Sequence, residues 1–414
     1  MTLVAHKKDG LDIAEYLFAI SLIIQGASVW STSIRPQYPL LPIATVCCMW
    51  LWFISKRNNH KKLLLNKLSV VILCLSSTYG ILSFGIGNLN YTLGMFIIGL
   101  PLMVDYFIVC SQTGRKYELF YKIENCIILL SVISVILWLI GPIGKLIESN
   151  CIVANCAWGG PKDYKGYFYL LFEAQHEDGT FFSNSTLWRN SSIFAETPMY
   201  NFWLMNAIGT ECFLRDKISN KRIFVLLVAI LTTFSTTGFL AIIICVLLKV
   251  YNKVLYSTSK VMNFLKYPLF IITIIGGYLI VQKLLVLKSA TASFETRLSD
   301  YEAALFYLQN FSLIGTGYGD DSAMVTALNT KGFSNGVFAV LVSGGIFLGT
   351  IILFPLIVNM IRGLLLKKTT MLSFSVLQIY VLSTVLCQGF YFLAVSTGLF
   401  LASLVIKSEE KDLL

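Results

Sequence analysis

Two arginines and a handful of carboxylates stand where polar chain interrupts a very apolar sequence. Arg189 follows Trp188 at the close of a long polar interval, with Glu196 just beyond it, and Arg297 lies in a second interval with Asp300, Tyr301 and Glu302. A guanidinium stays charged at any accessible pH and offers a planar fork of donors that matches phosphate oxygens. Two forks from separate loops could clamp a diphosphate; either one alone could equally anchor its loop to lipid headgroups or to a neighbouring carboxylate. A carboxylate beside them could take the proton of an attacking hydroxyl. Glu196 is the first candidate for that base and Asp300 the second. Glu196 has another role open to it, because it precedes Thr197 and Pro198 at the start of an apolar run, where a carboxylate favours the first turn of a helix.

The remaining polar groups are less specific. Asp320 and Asp321 are adjacent acids of the kind that solvated loops carry, and neither a metal nor a cofactor is expected. Gly315, Gly317 and Gly319 could bring backbone close to a phosphate or could form a tight turn; they are not a nucleotide fingerprint, since no strand and helix flank them. His176, among Gln175, Glu177 and Asp178, reads as exposed loop.

The elements that must hold these residues are membrane spans. Of the 414 residues, 56% are hydrophobic, 14% aromatic and 13% charged, the last about half the share of an ordinary soluble protein. Apolar runs of roughly 18 residues or more recur along the chain, the length that crosses a bilayer core as a helix. The formal net charge of +10 is spread in short clusters between alternate apolar runs, which is the positive-inside pattern and argues against a nucleic-acid partner. The expected fold is an all-α polytopic membrane protein of about twelve transmembrane helices with both termini in the cytoplasm. It is one integral membrane domain over 1–414, with a first large extracytoplasmic loop at 144–196 and a second at 288–334.

Lys7 and Lys8 precede the first span, Leu11 to Trp30. The basic run Lys56, Arg57, His60, Lys61 and Lys62 follows the second, Leu40 to Ile54. Spans at Leu64 to Ile86, Tyr91 to Cys110 and Asn125 to Ile143 lead to the first loop, and Thr197 to Leu214 returns from it. Ile223 to Val250 is long enough for one tilted span or two short ones. The lysines after it (Lys249, Lys253, Lys260, Lys266) favour two, joined at Thr236, Thr237 and Gly238. Tyr267 to Leu285, Gly336 to Met360, Leu372 to Leu386 and Gly389 to Val405 complete the set. Ionisable residues inside spans are costly and mark ion or proton paths by default. Asp105 and Glu211 are such residues, but both lie near inner boundaries and read as structural, so transport has little support.

Four stretches carry a resemblance. Arg189 to Tyr200 reads R-N-S-S-I-F-A-E-T-P-M-Y, and Leu227 to Ala241 reads L-V-A-I-L-T-T-F-S-T-T-G-F-L-A. Arg297 to Asp320 reads R-L-S-D-Y-E-A-A-L-F-Y-L-Q-N-F-S-L-I-G-T-G-Y-G-D, and Ser334 to Gly349 reads S-N-G-V-F-A-V-L-V-S-G-G-I-F-L-G. In this order and on this topology the chain resembles the O-antigen and capsule polymerase family of the Wzy type, in the superfamily that includes O-antigen ligases. The resemblance covers Trp188 to Gly349. It implies a glycosyltransferase on the outer face of the bacterial cytoplasmic membrane that polymerises oligosaccharide repeat units carried on undecaprenyl diphosphate. Arg189, Arg297 and Asn335 would then bind diphosphate, and Ser235, Gly315 and Gly317 would support the loops. The implied partners are the lipid-linked oligosaccharide, membrane lipid, a flippase and a chain-length regulator.

The chain departs from that pattern in two places. The ligases have a histidine-asparagine pair where this sequence has Ser334 and Asn335, which favours a polymerase and leaves the base unassigned. Many members have an arginine after the serine of the T-x-S turn, whereas Ser235 is followed by Thr236 and Thr237. A ligase of the same superfamily and a transporter of polysaccharide or lipid-linked sugar are the alternatives. Of the ten cysteines, only Cys151 and Cys156 share a polar loop, where an oxidising space would let them pair.

Overall fold

The computed structural model describes residues 10–33, 40–156, 162–176, 187–255, 264, 268, 302, 304–309, 313–319, 335–366, 368–385 and 390–406. All of the span expected at Tyr267 to Leu285 except Pro268 lies outside them, as do Arg297, Asp300, Asp320, Asp321 and Ser334.

Apolar runs bounded by polar or basic residues become helices, because a helix satisfies its own backbone without water. The first half of the chain forms α1 (Gly10–Gln25), a single turn and a half α2 (Val29–Ser33), α3 (Leu40–Asn58), α4 (Lys67–Leu82), α5 (Leu89–Ser111) and α6 (Glu118–Ile143). After the first large loop come α7 (Thr197–Gly209), extended by a wider π-type turn over Thr210–Leu214, then α8 (Asn220–Thr232) and α9 (Thr236–Leu255). The described chain ends with α10 (Gly336–Leu365), α11 (Thr369–Thr384) and α12 (Phe392–Val405). Among the described residues five helices are long and apolar enough to cross a membrane: Leu40–Asn58, Leu89–Ser111, Glu118–Ile143, Thr236–Lys253 and Gly336–Leu365. The outward faces are apolar too, as at Val46, Ile81, Leu129 and Phe354, each more than half exposed. That arrangement suits a bilayer and not water.

Inside, large aromatics fill the bundle: Trp203, Tyr79, Tyr106, Tyr200, Tyr318 and Tyr391 are fully buried. Glycine lets helices approach where a side chain would collide. A Cβ on Gly209 would come within 2.3 Å of Leu377, and one on Gly99 within 2.3 Å of the Tyr391 hydroxyl. Close approach of this kind replaces the hydrophobic drive that lipid cannot supply.

The ion pairs among the described residues gather at one end of the bundle. Lys56 at the end of α3 meets Asp105 at 2.9 Å, with both side chains buried; Trp52 Nε1 donates to the same carboxylate at 2.7 Å, and Asn66 donates to it as well. Asp12 and Glu15 on α1 accept from Arg115 at 2.9 and 3.0 Å. Glu124 and Glu211 are bridged by Arg215 and Arg222. Asp105 and Glu211 are therefore structural anchors of the basic clusters, since a buried carboxylate is retained when its charge is paired and its lone pairs are bonded.

Two expectations are corrected. The fold is not all-α: the first loop carries a three-stranded antiparallel sheet of β1 (Cys151–Cys156), β2 (Lys162–Tyr167) and β3 (Leu171–Phe172) in the order β1-β2-β3. Its signal is a period of two in the sequence K-D-Y-K-G, where Tyr164 and Gly166 turn inward, while Tyr167 is buried on the other face against Leu137 and Trp138. The loop between α8 and α9 falls at Thr233, Phe234 and Ser235, before the expected Thr236. Phe234 adopts φ 45° there, which stops α8, and α9 begins afresh at Thr236. Cys151 is a free thiol. It sits five residues from Cys156 in one extended strand, so their α-carbons are about 16 Å apart, beyond the span of a disulfide.

Candidate functional site

The Trp188 to Glu196 segment is built into the protein along its whole length. It runs antiparallel to the chain leaving β3: Phe172 N donates to Ser192 O at 3.0 Å, Arg189 N donates to Gln175 O at 2.9 Å, and His176 pairs with Trp188. These contacts share one antiparallel register, so the segment lies alongside the chain leaving β3. The His176 and Trp188 rings stack with centroids 3.5 Å apart. His176 is thus an exposed residue with a defined partner. On its other side the segment touches the end of α1, where Ala195 N donates to Ala27 O at 3.1 Å and Val29 N to Ile193 O at 2.7 Å.

The same segment is stitched to the α8–α9 turn. Arg189, only 7% exposed, donates from Nε to Thr233 O at 2.8 Å. Asn190 N donates to Thr232 O at 3.1 Å, and Asn190 Nδ2 donates to Thr232 Oγ1 at 3.0 Å. Asn201 on α7 joins the turn through Thr233 Oγ1 at 3.1 Å. A buried hydroxyl cluster underlies the junction: Tyr200 lies 2.9 Å from Ser134 and donates to Ser131 at 3.1 Å, while Asn190 Nδ2 reaches Ser134 Oγ at 3.4 Å. Trp138 Nε1 completes the seam by donating to Trp188 O at 2.8 Å. Ser235 immediately precedes α9, its hydroxyl 2.7 Å from that of Thr237, whose carbonyl accepts from Tyr380 at 2.8 Å.

Glu196 is the N-cap residue of α7 and half-buried; no amide of the first turn donates to its carboxylate. The carboxylate of Glu173, nearer the sheet, accepts from the Tyr167 hydroxyl at 2.9 Å. Burial, with that neighbouring carboxylate, pushes the Tyr167 hydroxyl up to about 12. The phenol therefore stays protonated and keeps donating to Glu173 across the neutral range.

The glycine series forms the second junction. Gly315, Gly317 and Gly319 all have positive φ (72°, 104° and 79°). Their turn runs against a break in α10 at Gly345 (φ 62°), with Thr316 N donating to Val342 O and Gly317 N to Ser343 O, both at 2.9 Å. A Cβ on Gly317 would lie 2.3 Å from the Gly87 nitrogen, so backbone meets backbone at this point. Asn88 N ties the turn to the α4–α5 connection by donating to Tyr318 O at 2.8 Å. Asn335, 7% exposed, caps α10: its Oδ1 accepts from Val337 N at 2.9 Å and Phe338 N at 3.3 Å.

Segments far apart in sequence are therefore joined as two pairs, 188–196 with the α8–α9 turn and 313–319 with the α10 break. Both lie at the end of the bundle away from the ion pairs. Asn190, Asn201, Thr233 and Tyr200 are members that sequence reasoning did not single out; the serines at 131 and 134, one helical turn apart in an apolar run, are the trace that such a seam leaves. No protein-family profile matches the chain, and no curated protein sequence matches it.

Proposed function

We propose that this protein is a membrane-embedded glycosyltransferase that polymerises oligosaccharide repeat units carried on undecaprenyl diphosphate. The observation that carries the reading is the junction at Arg189. A buried guanidinium is held by the α8–α9 turn at the same end of the bundle as the 313–319 turn, so the first and second of the four family-like stretches meet at a fixed cation, and the third and fourth meet at the break in α10.

In the proposed reaction the acceptor sugar hydroxyl attacks the anomeric carbon of the growing chain. A carbon–oxygen bond forms there as the bond to the lipid diphosphate breaks, the diphosphate leaves with the electron pair, and the hydroxyl proton passes to a base. Charge grows on the leaving phosphate while the carbon becomes oxocarbenium-like, so fixed cations aimed at the phosphate favour the transition state. Arg189 and Arg297 take that role. Asn335 assists through its Nδ2, because its Oδ1 is committed to the helix cap. Glu196, at the N-terminus of α7 beside the Arg189 junction, is the leading base, and Asp300 is the second. The site faces the outside of a bacterial cytoplasmic membrane, about twelve spans hold it there, and a flippase and a chain-length regulator are the partners such a reaction needs.

Purified protein in nanodiscs, given the lipid-linked repeat unit, should yield a ladder of longer lipid-linked glycans. The absence of any new glycosidic bond with active substrate would end this reading and leave transport as the next hypothesis.

A further inference from the structure

The turn between β2 and β3 carries residues that a water-exposed hairpin does not favour. Tight hairpin turns select glycine or asparagine, which tolerate left-handed backbone. Here Phe168 and Tyr169 occupy the turn with φ 52° and 59°, and their side chains are left 58% and 53% exposed. A bulky residue held in left-handed backbone costs free energy, so two in succession mark a place where the side chains are used.

The depth of the turn follows from what its neighbours pack against. Tyr167 and Leu171, which flank it, form one buried cluster with Leu137 and Trp138 of α6, and a Cβ on Gly141 would come within 2.8 Å of the Tyr167 ring. At the other end of α6, Glu124 is bound by Arg215 and Arg222. With 1.5 Å per residue, Trp138 stands about 21 Å beyond Glu124 along the helix axis, whereas a hydrocarbon core is about 30 Å thick. The hairpin end is therefore level with the far leaflet and short of its edge. At the same level α6 presents Ile136 and Leu139, 53% and 50% exposed.

The turn also meets the condition that lipid sets for backbone, since polar groups there have no water to bond. Phe168 N donates to Asn150 Oδ1 at 2.8 Å, Tyr169 O accepts from Trp30 Nε1 at 3.1 Å, and Leu170 N donates to Tyr167 O at 3.0 Å. Exposed charge is kept back along β2, at Lys162, Asp163 and Lys165.

We propose that Phe168 and Tyr169 are a membrane wedge: the hairpin tip inserts into the leaflet away from the ion-paired end and lies against phospholipid at the boundary of acyl chains and headgroups. Trp30 and Tyr169 then belong to the aromatic belt of a bilayer interface. The consequence for the candidate site is one of height. The chain leaving β3 pairs with 188–192, and Trp138 Nε1 donates to Trp188 O, so the wedge holds the Arg189 junction close to the bilayer surface, where a lipid-borne phosphate lies. The inference rests on α6 crossing the bilayer and is independent of the polymerase reading.

The test is photocrosslinking of the full-length protein in phosphatidylcholine nanodiscs, read by mass spectrometry. Benzoylphenylalanine replaces Phe168, or Leu129, which is 64% exposed on α6, or Lys162 on β2. Phospholipid adducts at 168 should come within about twofold of those at 129 and exceed those at 162 about tenfold. Should Phe168→benzoylphenylalanine yield no folded protein, Tyr169→benzoylphenylalanine makes the same measurement. A yield at the Lys162 level, or crosslinks only to a second copy of the chain, overturns the wedge. An absence of lipid adducts at Leu129 overturns the bilayer path of α6 and the wedge with it.

Discussion

Replacing Arg189 separates its two contributions. The side chain is 7% exposed and its Nε donates to Thr233 O at 2.8 Å, a charge-assisted bond of about 1.5–3 kcal/mol. Arg189→Ala removes that bond and leaves the Thr233 carbonyl without this donor at the turn between α8 and α9, so it should destabilise the junction by about that amount. If the guanidinium also stabilises the departing diphosphate, the same change removes a transition-state donor, for which about 3–4 kcal/mol, or 10²–10³ in rate, is the usual loss. Arg189→Lys divides these effects: an ammonium keeps the charge and one reach of donors but cannot hold Thr233 and a phosphate together. Chain elongation per folded molecule should fall at least tenfold in Arg189→Lys and about a hundredfold or more in Arg189→Ala, with folded protein quantified by thermal unfolding in nanodiscs. Elongation that falls only in proportion to folded protein in both variants would show that Arg189 is a structural tie alone.

Other consequences are as direct. Arg297→Ala should abolish polymer while leaving the protein in the membrane, lysine should rescue it poorly, and full activity in the alanine variant would remove the paired clamp. Glu196→Gln should cost about 10²–10⁴ in elongation rate if the carboxylate is the base, and unchanged turnover eliminates it. At the opposite end, Lys56→Met leaves the Asp105 carboxylate buried without its cation and should cost about 3–5 kcal/mol in unfolding measurements, with Lys56→Met/Asp105→Asn losing less than the single change. Gly317→Ala forces a Cβ against the Gly87 backbone at φ 104° and should destabilise by on the order of 3 kcal/mol; a wild-type unfolding midpoint would contradict the tight junction between the glycine turn and the α4–α5 connection.

Much of the helical framework is legible in one dimension. The helices at Leu40–Asn58, Glu118–Ile143, Thr197–Gly209 and Gly336–Leu365 follow apolar runs whose ends are marked by lysine, arginine, proline or asparagine, because hydropathy and end charge are local properties of the chain. That Asp105 is structural is likewise legible from its place near the inner boundary of its span, whereas its partner Lys56 is not. What hydropathy could not supply was the interior of the first loop. Its sheet, the pairing of 188–192 with the chain after β3, and the stitching of Asn190 to Thr232 all depend on residues tens of positions apart closing onto one another. Such closure leaves at most a weak period-two trace in so short a stretch. The break in α10 at Gly345 is similar: Gly344 and Gly345 stand in the sequence, but only the arrival of the 313–319 turn makes positive φ necessary there. Residue types alone determined an apolar helical chain with arginine and carboxylate concentrated in its polar loops. The tertiary structure decided that Arg189 is buried at a junction, that Gln175 stands beside it, and that the glycine turn packs on helix backbone, because each outcome is fixed by which distant backbone groups are left to bond once the helices have packed.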